Sequence, residues 1–100
     1  MLAEKPNNLA LRPLIHLQEL NASQNRISDL SGLLEMDSLR VVNLRCNQIV
    51  DICLQKSGLK ELSALDLSNN HIRVFGGIES LVSLRELNLG MKLYLYFNFA

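Results

Sequence analysis

Hydrophobic and polar residues alternate in four short segments of this chain. The segments align without gaps: LQELNA (residues 17–22), LRVVNL (39–44), LSALDL (62–67) and LRELNL (84–89). Alternation with a period of two places apolar side chains on one face of a strand and polar ones on the other. Because the segments recur every 22 or 23 residues, they predict one short strand per repeat, stacked in parallel.

The segments between the strands, which we term the returns, have an apolar residue at every third position. Through the first return and into the next strand segment these residues are Ile27, Leu30, Leu33, Met36, Leu39 and Val42, and through the third they are Ile72, Phe75, Ile78, Leu81, Leu84 and Leu87. A period of three fits helical turns, including the 3-10 form, packed behind a sheet. The second return has one extra residue and lacks this rhythm, which predicts a bulge at residues 56–58.

An asparagine follows each of the first three strands at a fixed distance. These residues are Asn25, Asn47 and Asn70, and an isoleucine lies two positions after each of them. The shared template is L-x-x-L-x-L-x-x-N-x-I, with the isoleucine directed into the core. Because a carboxamide both donates and accepts hydrogen bonds, we predict a structural asparagine ladder that satisfies backbone groups in the turns.

This template resembles that of leucine-rich repeat proteins, and the repeat length resembles the 22-residue class typified by the nuclear regulatory subunit of protein phosphatase 1. The resemblance covers about residues 9–89. It implies an α/β solenoid of about four repeats, with short parallel strands on the concave face and 3-10 or α-helical turns on the convex face. It also implies a docking role inside the cell.

The repeat pattern divides the chain into three parts. We predict a partial N-terminal repeat or cap at 1–16, repeats at 17–38, 39–61, 62–83 and 84–91, the last one partial, and a divergent tail at 92–100. The tail holds four of the five aromatic residues. Three interpretations of it stay open: a cap over the last repeat, the end of a truncated or alternatively ended protein, or a contact with a partner or membrane.

The outward strand positions and their neighbours form a candidate partner-binding face. Its members are Glu19, Asn21, Ser23, Arg40, Val41, Asn43, Arg45, Asp66, Ser68, Arg85, Glu86 and Asn88. Its asparagine and aspartate residues suit a solvated strand beside a turn, or else form a hydrogen-bonding stripe for a partner's chain. In the second case the three arginines meet acidic groups of the partner, with Arg45 near the centre.

This face is small for a protein interface. Four short strands give a patch of about 14 Å by 17 Å, whereas a standard interface uses roughly 800 Å² per partner. Either a partner also contacts the edges and loops, or the chain is a fragment or short isoform of a longer repeat protein.

Charge and chemistry argue against several functions. Ten basic and ten acidic side chains cancel, so we expect neither direct nucleic-acid binding nor attraction to a membrane surface. Cys46 and Cys53 are too few for a disulfide framework or a zinc site. Neither cysteine has a histidine nearby in sequence to act as its base, and His16 and His71 are expected to face solvent. We therefore expect no catalytic residues, no metal and no cofactor.

Together these features predict a noncatalytic adaptor or regulatory subunit that binds a protein of unknown identity. One alternative is a structural segment of a ciliary, centrosomal or other cytoskeletal assembly, which associates end to end through uncapped solenoid edges. A weaker alternative is a component of a ribonucleoprotein. The expected location is cytoplasmic, with the nucleus, cilium and centrosome as further options.

Overall fold

Short strands stacked side by side organise the structure. The computed structural model describes residues 16–55, 57–90 and 93–96 of the 100-residue chain. Its strands are β1 (Glu19–Asn21), β2 (Val41–Asn43), β3 (Asp51–Cys53), β4 (Ala64–Asp66), β5 (Val74–Gly76), β6 (Glu86–Gly90) and β7 (Leu93–Tyr96). The main sheet has the order β1-β2-β4-β6-β7. We name its outward side the strand face.

The first four strands of the main sheet are parallel, in the register that the aligned leucines predict. Leu20 lies opposite Val42, which lies opposite Leu65, which in turn lies opposite Leu87. All four side chains are buried. Three returns connect the four strands, so the chain makes about three turns, and the predicted solenoid with short parallel strands is confirmed.

The core fills the space between the main sheet and the returns. Leu39, Leu62 and Leu84, which begin three of the aligned segments, are fully buried. Ile27 and Ile49 are also buried, as their place after the asparagines predicts. Each of these side chains withdraws apolar surface from water, which stabilises the fold by about 1.5–3 kcal/mol per fully buried side chain.

The returns differ in part from their prediction. Single turns of 3-10 helix lie in the first and third returns, at Leu33–Glu35 and Ile78–Ser80. In the second return β3 forms instead, and it pairs in parallel with β5 of the third return as a second, two-stranded sheet. The predicted helical turns are therefore confirmed at two places, whereas Val74–Gly76 of the third return is a strand. The two strands meet because adjacent returns are packed together, and the N–H of Arg73 donates to the carbonyl of Val50 at 2.8 Å.

Some predicted features lie wholly or partly outside the described residues. Lys56 of the predicted bulge lies outside them, as do residues 1–15 of the predicted N-terminal repeat or cap. Of the divergent tail, β7 is described, and it pairs antiparallel with β6, with a bulge between Asn88 and Gly90. The cap interpretation of the tail stays a prediction.

Within the described ranges, three residues that are not glycine have a left-handed backbone at matching points of the repeat. They are Gln24 (φ 60°), Cys46 (φ 60°) and Asn69 (φ 58°), and each immediately precedes an asparagine of the ladder. This conformation costs an ordinary L-residue roughly 1–2 kcal/mol. Asparagine tolerates it better, because its short polar side chain bonds locally.

Gln24→Asn is accordingly expected to raise the free energy of unfolding by about 0.5 kcal/mol. For a chain of this size, that gain raises Tm by a few degrees. The measurement is thermal unfolding followed by circular dichroism. Gln48→Asn is the control, because Gln48 is exposed and its backbone is not left-handed. An equal gain in both variants would contradict the conformational explanation.

Candidate functional site

The strand face presents two outward columns with one residue from each parallel strand. The first column is Glu19, Val41, Ala64 and Glu86, and the second is Asn21, Asn43, Asp66 and Asn88. Since neighbouring strands lie about 4.8 Å apart, each column is roughly 14 Å long. The structure thus brings most of the predicted site residues together on one surface.

The second column is hydrogen-bonded to its own turns. In each case Oδ1 accepts the N–H of the residue two positions later: Asn21 from Ser23 (3.1 Å), Asn43 from Arg45 (3.0 Å), Asp66 from Ser68 (3.0 Å) and Asn88 from Gly90 (2.8 Å). These bonds favour the interpretation that the column suits a strand beside a turn. The bonds use the Oδ1 atom of each side chain, so a partner would contact the remaining polar atoms.

The two serines of the predicted face belong to these turns. Ser68 is only 6% exposed, and its hydroxyl donates to Asp66 Oδ1 at 2.8 Å. Ser23 is half-buried, and its hydroxyl donates to Asn21 Oδ1 at 2.9 Å. Predicting Ser68 as an exposed contact was wrong, because its side chain is buried and its hydrogen bond is already formed.

The three arginines occupy different parts of the surface. Arg45 lies beside the neighbouring strand's Asp66, with Nε and Oδ2 4.0 Å apart and side chains 50% and 30% exposed. A pair as long and as exposed as this contributes about 0–1 kcal/mol. Arg40 and Arg85 are exposed and immediately precede β2 and β6. A role for the arginines in meeting acidic groups of a partner stays a prediction.

An open depression of about 370 Å³ lies on the strand face across β2, β4 and β6. Its lining residues are Val41, Val42, Asn43, Ala64, Leu65, Asp66, Glu86 and Asn88. Val41 is 42% exposed, which is high for a valine near the middle of a sheet. Val42 and Leu65 belong to the lining although their side chains are buried in the core, as the period of two predicts.

Asn47 ties the first repeat to the second. Its Nδ2 group donates to the carbonyls of Ala22 (3.0 Å), Leu44 (3.0 Å) and Arg45 (3.2 Å). Its Oδ1 atom accepts the N–H of Ile27 at 3.0 Å. Because Asn47 is 5% exposed, these bonds form where water cannot replace them.

The other two asparagines show how this arrangement repeats. Asn70 donates to the carbonyls of Leu44 (2.9 Å) and Leu67 (3.0 Å) and accepts the N–H of Ile49 (3.0 Å), so it ties the second repeat to the third. Asn25 donates to backbone carbonyls of its own repeat. The strand face therefore rests on turns that are cross-linked by side-chain hydrogen bonds.

Residues suited to catalysis or metal binding are dispersed. His16 and His71 are exposed, and Cys46 and Cys53 are free thiols. Within the described ranges no three His, Cys, Asp or Glu side chains lie close enough to hold a metal ion. The same parts of the chain contain no helix of the length and apolarity that crossing a bilayer requires.

Comparison with known proteins gives one match. A family model described as Leucine Rich repeats, in two copies, matches residues 15–61. This range includes β1 to β3 and the first two asparagines of the ladder. No curated protein and no solved structure matches the chain significantly.

Proposed function

We propose that this chain, which matches a Leucine Rich repeats family model over residues 15–61, acts as a noncatalytic protein-interaction module, an adaptor or a regulatory subunit. The observation that carries the proposal is the exposed Val41 beside the depression on the strand face. A concavity that combines an apolar part with a few convergent polar groups is the usual location of a binding site.

Rigidity of the strand face supports this proposal. The outward columns stand on a sheet whose inner side chains are fully packed and whose turns are held by Asn47 and Asn70. A preorganised surface loses little conformational entropy when a partner binds. The small area of the face means that a stable complex would also use its edges and loops.

A second candidate is a structural segment of a larger assembly, such as a cytoskeletal, ciliary or centrosomal one. Among the described strands, β1 is an end member of the main sheet and pairs only with β2. An edge strand offers backbone hydrogen-bonding groups to another chain, which is one route to end-to-end association. For either role we propose an intracellular, cytoplasmic location, where two free thiols are ordinary.

Val41→Asp is expected to reduce capture of the true partner at least about tenfold, equivalent to about 1.4 kcal/mol of binding free energy. The measurement is affinity capture from lysate by the tagged chain, with quantitative mass spectrometry of what is retained. Val82→Asp is the matched control, because Val82 is 65% exposed and lies in the third return. Both variants place a carboxylate at an exposed valine, so only the position differs.

The outcome separates the two candidates. The interaction module is supported if proteins captured by the wild type are lost with Val41→Asp and retained with Val82→Asp. If Val41→Asp retains every protein that the wild type captures, the strand face is not the binding surface. Capture of untagged copies of this same chain would instead favour the assembly segment.

A further inference from the structure

We infer that the strand face binds a partner segment that inserts a lysine or arginine side chain into the depression across β2, β4 and β6. The inference rests on the proposed function and names the chemistry of the partner. The occupant is a polypeptide, and its long basic side chain is the group that the depression recognises.

Charge is the first argument for a basic occupant. Among the described residues, the ionisable side chains that line the depression are Asp66 and Glu86. Asp66 Oδ1 accepts from Ser68, and Oδ2 has only the long 4.0 Å contact with Arg45. Glu86 is exposed on the neighbouring strand. Arg45 lies 4.0 Å from Asp66 but does not belong to the described lining, so both ionisable groups of that lining are carboxylates.

The second argument is the apolar part of the lining. Val41, 42% exposed, and the half-buried Ala64 lie side by side in the first column and form the accessible apolar part of the depression. Lysine and arginine pack their aliphatic stems on apolar surface while the charged head keeps polar partners. The stem would therefore cover Val41 and Ala64, and the head would reach the carboxylates.

The placement of the two carboxylates suits a single basic head. Glu86 is in register with Ala64 on β4, and Asp66 lies two residues further along that strand. One strand spacing combined with two residues of rise puts their Cα atoms roughly 8 Å apart. An ammonium or guanidinium group between them would donate to both side chains, and charge-assisted bonds of this kind are the stronger ones.

Other occupants fit less well. An acidic segment would bring like charges against Asp66 and Glu86, which is unfavourable in a contact that excludes water. A wholly apolar segment would remove the same two carboxylates from water without giving them partners. The volume of about 370 Å³ is near the lower end of the roughly 300–1,000 Å³ typical of ligand pockets. This volume leaves room for one long side chain.

The test selects ligands from a random peptide library displayed on phage, with the full chain as bait. We expect the retained peptides to be enriched in a lysine or arginine next to an apolar residue. The best peptide is then synthesised, together with a copy in which norleucine replaces its lysine or citrulline its arginine. The neutral copy is expected to bind about 10- to 100-fold more weakly by calorimetry, because it lacks the charge-assisted bonds.

Variants of the chain assign this effect to the depression. Glu86→Gln and Asp66→Asn should each weaken binding of the basic peptide about 10-fold and leave binding of the neutral copy unchanged. Asparagine already occupies the position of Asp66 in the other three strands of the column, so this variant keeps the turn. Glu79→Gln is the control, because Glu79 is an exposed carboxylate in the 3-10 helix of the third return.

Three results would overturn the inference: selection of no peptide, selection without basic residues, and binding that Glu86→Gln does not change. None of them removes the proposed function, which fails only if Val41→Asp leaves lysate capture unchanged. If capture depends on Val41 while no basic peptide is selected, the chain is an interaction module whose partner has another chemistry.

Discussion

Replacing Asn47 by alanine is expected to lower the free energy of unfolding by about 3–4 kcal/mol, a large part of the roughly 5–15 kcal/mol typical of a folded domain. The variant loses the acceptor of the Ile27 N–H and the donor to the carbonyls of Ala22 and Leu44. Because the site is buried, water cannot replace these bonds, and each unsatisfied group costs about 1–3 kcal/mol.

Urea unfolding followed by circular dichroism measures this loss, with Asn25→Ala as the matched control. Asn25 is half-buried and donates to the carbonyls of Ala22 and Ser23, so its replacement should cost about 1–2 kcal/mol. Asn47→Asp should be at least as damaging as Asn47→Ala, since it places carboxylate oxygen against carbonyl oxygens. Similar losses of unfolding free energy for Asn25→Ala and Asn47→Ala would show that bonds between repeats stabilise the fold no more than bonds within a repeat.

Replacing Gly77 by alanine is expected to cost about 3 kcal/mol or more, because the position combines two constraints. Its φ of 79° is left-handed, which glycine adopts without penalty. A Cβ atom there would lie 2.6 Å from the carbonyl carbon of Leu54 and closer still to the backbone nitrogen of Gln55. Both obstacles are backbone atoms next to β3, so the second sheet must shift to accept the methyl group.

Gly76→Ala is the control for this substitution. At Gly76 the nearest obstacle to a Cβ atom is the side-chain Nε2 of Gln55, at 2.9 Å, and this flexible side chain can rotate away. We expect a change within about 1 kcal/mol of the wild type, measured in the same urea titration. If the two neighbouring substitutions cost the same, close backbone packing at Gly77 is not the cause.

The main sheet was predictable from sequence because its register depends on a local property of each repeat. Leu20, Val42, Leu65 and Leu87 are each flanked by outward residues, and burial of one face fixes which residues lie opposite one another. A shift of one residue would expose every one of these side chains. The asparagine positions were predictable for the same reason, since each follows its strand at a constant distance.

The returns were less predictable because their structure depends on neighbouring repeats. Gly32 and Gly77 occupy equivalent places in sequence, yet their φ angles are −67° and 79°. The backbone of Leu54 and Gln55 lies against Gly77 and comes from the preceding return. The sequence of the third repeat alone does not indicate that contact. The pairing of β3 with β5 likewise depends on the packing of two neighbouring returns.

The candidate site was predictable as a set of outward positions but not as a surface with local charge. The sequence emphasised Arg45, whereas the described residues that line the depression include Asp66 and Glu86 and no arginine. The size of the neighbouring residues explains the difference, because Ala64 leaves room between Val41 and Glu86 on the adjacent strands. A depression of this kind can be recognised only when the side chains of neighbouring strands are compared.

The bonds of Asn47 and Asn70 run in one direction along the chain, since each asparagine accepts an N–H from the repeat before its own. Each turn is therefore completed by whichever repeat follows it, provided that repeat supplies an asparagine at the same position. An internal unit copied or removed as a whole leaves every remaining donor with an acceptor. Unequal recombination in whole units could thus lengthen or shorten such an array without disrupting its turns.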